Sequence, residues 1–176
     1  MSIWTDYSSR TPSGVAGGLY DLTYHAVDSF RINAADGKVK CGMGVVHGPT
    51  PGSDVDLPAA GSTLDKFAGV VMNGGSNEMD MEGNIVLRNS STQSVMRHGR
   101  VWVRLEADAE PTYGDQAHLI LTGDDAGCFG TSGGLAINAR FLTAAHNGIA
   151  AIELYNLVVP PASSTTPTTP EAPSGT

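Results

Sequence analysis

A chain of 176 residues is long enough to bury one hydrophobic core, and its formal net charge of −8 disfavours binding to the phosphate backbones of nucleic acids. Only 16% of the residues are charged and 22 are glycine, a composition that favours short strands and turns over long helices. We therefore expect a single all-β domain that has neither DNA nor RNA as a partner.

The N-terminal segment is polar and rich in glycine, and it is predicted to form an extended arm over residues 1–18. It lacks the charged and apolar regions of a signal peptide, and no later stretch is long enough for a membrane-spanning helix. We therefore expect neither export by a signal peptide nor a membrane partner. The arm carries two large aromatic side chains, Trp4 and Tyr7. These either anchor the arm to a partner protein or pack back on its own domain.

Apolar runs separated by turn signals fill residues 19–159. In chain order the main runs are YDLTYHAVDSFRI, KVKCGMGVV, FAGVVM, NIVLRN, VMRHGRVWVRLEA, QAHLILT, LAINARFLTAA and IAAIELYNLVV. Such runs predict short strands, so we expect one compact domain over residues 19–159, a β-barrel or a jelly-roll-like β-sandwich. The longest helical candidate, NARFLTAAHNGIAAIEL, contains Asn147-Gly148, a dipeptide that favours a tight hairpin turn.

The segment RVWVRLE alternates between apolar and polar or aromatic residues, which predicts a strand with two different faces. The apolar face holds Val101, Val103 and Leu105. The opposite face holds Arg100, Trp102 and Arg104. Because Trp and Arg are enriched among residues that carry interface energy, the second face is a candidate protein interface. The alternative is that Trp102 is buried under a loop of its own domain, with the arginine stems covering its edges.

Metal and cofactor patterns are absent from the sequence. Cys41 and Cys128 are far apart and form no CxxC motif, which indicates two buried, reduced thiols. The five histidines lack the spacing of a helical metal site. We expect no cofactor, and whether Asp124 or Asp125 of the GDD turn binds a cation is left open.

Two fragments resemble the active-site segments of trypsin-like proteases: GTSGG, which contains Ser132, and FLTAAHNG, which contains His146. However, Thr131 stands where that pattern has aspartate, the two fragments occur in reversed order, and the chain is too short for two barrels. Turn chemistry accounts for both fragments, because glycine relieves turn strain and small residues pack where a strand turns. We expect no catalytic residues, and a small serine hydrolase that uses Ser132 and His146 is kept as a remote alternative.

The last segment, PPASSTTPTTPEAPSGT, has too little apolar surface to offset the entropy of ordering it. It predicts a disordered tail over residues 160–176. Because Ser/Thr/Pro-rich sequences also form stalks and linkers, a role as a spacer is left open.

Four segments together resemble the structural cement, or head decoration, proteins of tailed bacteriophages. They are VDLPAAGSTLDKFAGVVM (55–72), VMRHGRVWVRLE (95–106), YGDQAHLI (113–120) and ARFLTAAHNGIAAIELYNL (139–157). Their shared order and spacing extend the resemblance over most of residues 37–157. The arm, the GGSNEMDMEG segment and the tail depart from the simplest members, so contacts of those parts are not carried over.

The resemblance implies a compact, non-enzymatic β domain made in the host cytoplasm and incorporated into the virion. Such a protein binds the outer surface of the assembled head, bridges neighbouring major capsid subunits and resists the internal DNA pressure. The expected partners are the major capsid protein and further copies of this chain, as a homodimer or a homotrimer. The candidate interface residues are Trp4, Tyr7, Arg100, Trp102 and Arg104. A surface adhesin or receptor-binding β module, with the tail as a stalk, is the main alternative.

Overall fold

The computed structural model describes residues 14–74, 78–79, 81 and 85–155, which contain nine β-strands and one 3-10 helix. In chain order the strands are β1 (Ala26–Ile32), β2 (Gly44–His47), β3 (Asp54–Asp56), β4 (Phe67–Val71), β5 (Thr92–Arg104), β6 (Gln116–Leu119), β7 (Phe129–Gly130), β8 (Leu135–Phe141) and β9 (Ile149–Tyr155). The 3-10 helix, Leu64–Lys66, leads directly into β4. The all-β prediction is confirmed. No helix among the described residues has the length and apolar character needed to cross a membrane.

Five strands close into a barrel in the order β1-β3-β2-β4-β5, and pairing between β5 and β1 completes the circle. All neighbours in this barrel are antiparallel except β1 and β3, which are parallel. Of the two predicted architectures, the barrel is therefore the one that forms. Closure pairs strand edges that an open five-stranded sheet would leave exposed.

Strand β5 belongs to the barrel with its first half and to a second sheet with its second half. Its residues 92–98 pair with β1, whereas its residues 98–104 pair with β9. The second sheet continues from β9 to β8, β6 and β7. Gly99 lies at the transition with φ of 123°, and a Cβ atom there would lie 2.7 Å from the Cβ of His25. Glycine therefore allows the strand to pass from one sheet to the other.

Two clusters of buried side chains correspond to the two parts of the fold. The cluster among the barrel strands consists of Phe30, Ile32, Ala34, Val39, Cys41, Val45, Val55, Ala68, Val71, Leu87 and Val95. The larger cluster lies mainly under the second sheet and includes Phe67, Met96, Val101, Val103, Leu119, Phe129, Ile137, Phe141, Ile152 and Leu154. In β8 buried and less buried residues alternate, which is the pattern of a sheet with one covered face.

The predicted turn at Asn147-Gly148 joins β8 to β9. Both residues have positive φ, 52° and 73°, which is the conformation of a two-residue hairpin turn. The backbone N–H of His146 donates to the carbonyl of Ile149 (2.9 Å), and the N–H of Ile149 donates back to His146 (3.1 Å). FLTAAHNG is thus the end of a strand followed by a turn, as the sequence predicts.

Two predicted strands are shorter than their apolar runs suggest, and a third does not form. The first begins at Ala26 rather than near Tyr20, and the described residues of NIVLRN form no strand, with Ile85 in an isolated bridge to Met79. In KVKCGMGVV the strand begins at Gly44, because residues 40–43 form a turn in which the N–H of Met43 donates to Lys40 (3.2 Å). In KVKCGMGVV and NIVLRN the apolar side chains outside strands, such as Val39, Cys41 and Leu87, are buried in loops, whereas Leu22 and Tyr24 ahead of β1 are exposed.

Both cysteines are free and buried, as expected for reduced structural thiols. Burial, together with the charge of Asp125, raises the pKa of Cys128 to about 11. Burial also raises the pKa of Cys41. Neither thiol is therefore activated as a nucleophile at neutral pH.

Gly69→Ala tests the close approach of β4 to β5. Gly69 has φ of 146°, and a Cβ atom there would lie 2.2 Å from the carbonyl oxygen of Met96. We expect the free energy of unfolding to fall by about 2–4 kcal/mol, because the backbone oxygen cannot move without disturbing the β4–β5 pairing. Urea denaturation with an unchanged m-value measures the effect.

Gly52→Ala is the matched control, because Gly52 also has positive φ (83°) but open space where a Cβ would lie. Its loss should be about 1 kcal/mol, from the backbone conformation alone. Equal losses in the two variants would show that the β4–β5 approach is not the constraint described here.

Candidate interface surface on strands β5 and β9

The second half of β5 has the two faces that its sequence predicts. Val101, Val103 and Leu105 are buried in the larger core cluster. Arg100, Trp102 and Arg104 lie on the opposite face. Arg100 and Arg104 are half-buried, whereas Trp102 is only 7% exposed.

Residues 14–20, which we name the strap, cover Trp102. The strap pairs with β5, since Gly17 N–H donates to the carbonyl of Trp102 (2.7 Å) and Trp102 N–H donates to the carbonyl of Gly18 (3.0 Å). The N–H of Tyr20 donates to the carbonyl of Arg100 (3.0 Å). The strap therefore acts as a short strand along β5.

Side-chain contacts complete the cover over Trp102. A Cβ atom at Gly14 would lie 2.1 Å from the indole Nε1, so the strap passes directly against the ring. The Tyr20 ring lies 5.5 Å from the indole, between centroids, at 56°. Of the two sequence-based alternatives, this packing matches a tryptophan covered by its own domain. An interface role for Trp102 stays a prediction.

A bulge follows the strap and places apolar side chains in solvent. Leu19 lies opposite Val101 and Ala26 lies opposite His98. Six residues, 20–25, therefore face only two, 99 and 100, and the excess is pushed out of the sheet. The bulge begins and ends beside Gly99, where the strand changes sheets.

The bulge and the end of β9 form a row of side chains, Tyr20, Leu22, Tyr24 and Tyr155, which we name the exposed row; the half-buried His98 of β5 lies against Tyr24 and Tyr155. Leu22 is 90% exposed and Tyr24 is 79% exposed. Ring centroids lie 5.5 Å apart for Tyr24 and His98, and 6.4 Å apart for His98 and Tyr155. The sequence analysis missed this row. The spacing of Tyr20, Leu22 and Tyr24 at alternate positions was the signal that could have found it.

A network of charges on Glu153 fixes the sheet beside the exposed row. The Glu153 carboxylate accepts hydrogen bonds from Arg100 Nε (3.0 Å), Arg140 Nη2 (2.7 Å) and the Tyr155 hydroxyl. Arg100 also donates from Nη1 to Asp21 in the bulge (2.7 Å). The network thus ties β8, β9 and β5 to the bulge.

The environment of Glu153 stabilises its charged form. Burial opposes ionisation, but hydrogen bonds from Tyr155, Arg140 and Arg100 outweigh it and hold the pKa of Glu153 at about 2, against an ordinary value of 4.5. Hydrogen bonds to Asp21 and Glu153 raise the pKa of Arg100. The Arg140 guanidinium lies 5.9 Å from the centroid of the Tyr155 ring, which adds a cation–π contact.

The remaining candidate residues lie elsewhere. Trp4 and Tyr7 lie outside the described residues, as does the predicted tail, 160–176. Arg104 donates from Nε to the carbonyl of Cys41 (3.0 Å) and lies beyond Trp102 along β5. The structure therefore brings Arg100, Trp102 and Arg104 together on one face of β5, with Trp102 beneath the strap.

The Ser–His pair required by a hydrolase does not form. Ser132 precedes β8 and His146 follows it, and a seven-residue strand separates its two ends by about 20 Å. Both side chains lie in exposed turns. Within the described residues no group of three or more His, Cys, Asp or Glu is placed to hold a metal ion, so Asp124 and Asp125 do not build such a site with them.

Glu153→Gln should lower the free energy of unfolding at pH 7 by about 1–3 kcal/mol, because Arg140 loses its carboxylate and Arg100 loses one of two. The folded-state pKa is below the ordinary value, so the stabilisation is present above pH 4.5 and is lost as the pH falls toward 2. Urea denaturation at several pH values should therefore show a shallower acid-side decline in the variant. Glu110→Gln, at an exposed glutamate, should change the free energy of unfolding by no more than about 0.5 kcal/mol at any of these pH values.

Trp102→Ala should lower the free energy of unfolding by about 3 kcal/mol, because the strap would then cover a void. Trp102→Phe, which keeps an aromatic ring, should lose less than half of that amount. Thermal and urea unfolding measure both variants. Unchanged stability in Trp102→Ala would contradict the structural role of the strap.

Comparison with known proteins gives this geometry a context. The family model described as structural cement protein (E217 gp24/Pam3 gp6) matches residues 3–155. No curated protein matched the chain. Among solved structures, a chain of "The capsid of Myoviridae Phage XM1" is similar with a TM-score of 0.67 and 18% identity, over 89% of this chain and 100% of that chain. At this identity the structural likeness concerns the fold. The family match covers most of the sequence, and this chain therefore belongs to the phage structural cement protein family, whose members are structural proteins of the capsid.

Proposed function

We propose that this protein binds the outer surface of the assembled phage head. There it bridges neighbouring major capsid subunits and stabilises the shell against the pressure of the packaged DNA. Family membership supports a structural role in the capsid. We add to that role the outer-surface position, the bridging of subunits and the gain in shell stability.

The exposed row is the observation that best supports binding to a capsid subunit. Leu22, Tyr24 and Tyr155 present apolar and aromatic surface to solvent within one short stretch of the fold. Contiguous apolar patches on a soluble domain mark binding surfaces, and Tyr is enriched among residues at protein interfaces. We assign this row as the surface that contacts a major capsid subunit.

The frame behind the row is suited to non-catalytic clamping. The barrel is closed, and the Glu153 network ties the bulge to the second sheet through Arg100 and Asp21. A surface held in one conformation before binding loses little conformational entropy when the complex forms. The binding energy is then available to hold two capsid subunits together.

Self-association would multiply the effect of each contact. A standard interface buries about 800 Å² on each partner, and a homodimer or homotrimer presents the same surface two or three times. Once one copy is bound, the linked copy binds at a high effective concentration. One oligomer could then span adjoining subunits.

The double variant Leu22→Ser/Tyr24→Ser tests the exposed row. Purified protein is mixed with assembled shells that lack it, and the bound fraction is measured by co-sedimentation over a range of concentrations. We expect wild-type protein to bind the shells and to raise the temperature at which they release DNA. The double variant should bind at least tenfold more weakly, because it removes the most exposed apolar side chains of the row.

Leu64→Ser is the matched control, since Leu64 is also an exposed leucine but lies on the 3-10 helix before β4. It should bind within about twofold of the wild-type protein, and all variants should unfold at similar urea concentrations. If wild-type protein does not sediment with shells, the proposed function is wrong. If the double variant binds as well as Leu64→Ser, the assignment of the row is wrong.

A further inference from the structure

A cavity of about 240 Å³ lies beside the strap. Its lining consists of Val15 and Ala16 from the strap, together with Lys40, Cys41, Asn73, Ile85 and Arg104. Two of these side chains are cations, one is an amide, and most of the others are apolar. The volume is below the range of about 300–1,000 Å³ that is usual for pockets that bind small-molecule ligands. The cavity is therefore better matched to one side chain than to a nucleotide or cofactor.

Arg104 is held at the wall of this cavity but has no carboxylate partner among the described residues. Its Nε atom donates to the carbonyl of Cys41, which fixes the plane of the guanidinium. Every other arginine that the structure describes forms an ion pair. These are Arg31, Arg88, Arg97, Arg100 and Arg140.

Lys40 lies in the same lining and likewise forms no ion pair within the described part of the chain. Two cations that share one cavity repel each other, and the repulsion is relieved when an anion binds between them. A shortage of acidic groups does not explain the arrangement, because the chain has 18 Asp and Glu residues against 10 Lys and Arg residues. The described part of the fold instead leaves two positive groups without a carboxylate partner at one place on an acidic protein.

We propose that this cavity binds the carboxylate of an aspartate or glutamate side chain from the major capsid subunit. The inference rests on the proposed function and adds a charged anchor to the apolar row. An arginine fork donates two parallel hydrogen bonds to a carboxylate, and a lysine ammonium supplies a third donor. The amide of Asn73 can donate as well, and Val15 and Ile85 can contact the methylene groups of the entering side chain.

The strap connects the anchor to the other contact surface. Val15 and Ala16 line the cavity at one end of the strap, and Tyr20 begins the exposed row at its other end. A capsid segment that lies along the strap would therefore meet a cationic cavity and an aromatic row in succession. Such an arrangement supplies orientation through the charge and affinity through the apolar contact.

The test compares two double variants with the same net charge in the shell co-sedimentation assay. Lys40→Gln/Arg104→Gln removes both cations of the cavity, whereas Lys38→Gln/Lys66→Gln removes two exposed lysines elsewhere. We expect the first to bind shells at least tenfold more weakly than wild type and the second to stay within about twofold. The affinity of wild-type protein should fall as salt is added, and the affinity of the cavity variant should depend less steeply on salt.

Arg104→Lys separates the effect of charge from that of geometry, because it keeps the charge but loses both the fork and the Nε hydrogen bond to Cys41. Its binding should lie between those of wild type and the double cavity variant, and urea unfolding shows whether each variant is folded. A carbodiimide, which joins an amine to a carboxylate directly, provides a second readout: mass spectrometry should find Lys40 linked to an Asp or Glu of the major capsid subunit.

The possible results separate the two proposals. Wild-type protein that fails to bind shells contradicts the proposed function. Wild-type binding together with equal affinities for the two double variants contradicts the cavity alone. Cross-links from Lys40 to a second copy of this chain, with none to the capsid subunit, would also overturn the capsid assignment.

Discussion

The division of β5 between two sheets is the constraint on which the rest of the structure depends. Its first half closes the barrel against β1, and its second half starts the sheet that runs through β9. Because β1 leaves β5 near His98, the edge beside residues 100–102 needs a new partner, and the strap provides it. The strap and β1 lie on the same edge of β5, so the chain between them must bulge. Strand pairing thus puts Leu22 and Tyr24 in solvent.

The local features of the fold could be predicted from the sequence because each depends on neighbouring residues alone. Alternation in RVWVRLE correctly gave the two faces of β5, since successive side chains of a strand point to opposite sides. The Asn147-Gly148 turn was correct because its backbone needs two residues with positive φ. The composition likewise indicated an all-β fold, but it did not decide between a barrel and a sandwich, because both are built from the same short strands.

The candidate interface surface depends on contacts between segments that are distant in sequence. The alternation of apolar and polar residues along one strand does not specify such contacts. The pattern indicated that Trp102 faces away from the core formed by Val101 and Val103, but not what covers it. That cover comes from the strap, more than 80 residues earlier, and only pairing between the strap and β5 reveals it. The split of β5 is equally non-local, because a continuous 13-residue run resembles one strand of one sheet. The predicted strand from Tyr20 failed for this reason.

The distribution of charge separates arginines that are paired with carboxylates from one that has no carboxylate partner among the described residues. In the second sheet Arg100 and Arg140 form ion pairs with carboxylates of the same chain, and these pairs hold β8, β9 and the bulge together. Charges already paired within the chain are poorly suited to bind a partner, because binding would first have to break their existing pairs. Arg104 lies on the same face and yet contacts only a backbone carbonyl among the described residues. Composition alone does not distinguish these arginines, whereas their contacts among the described residues separate the paired Arg100 and Arg140 from the unpaired Arg104.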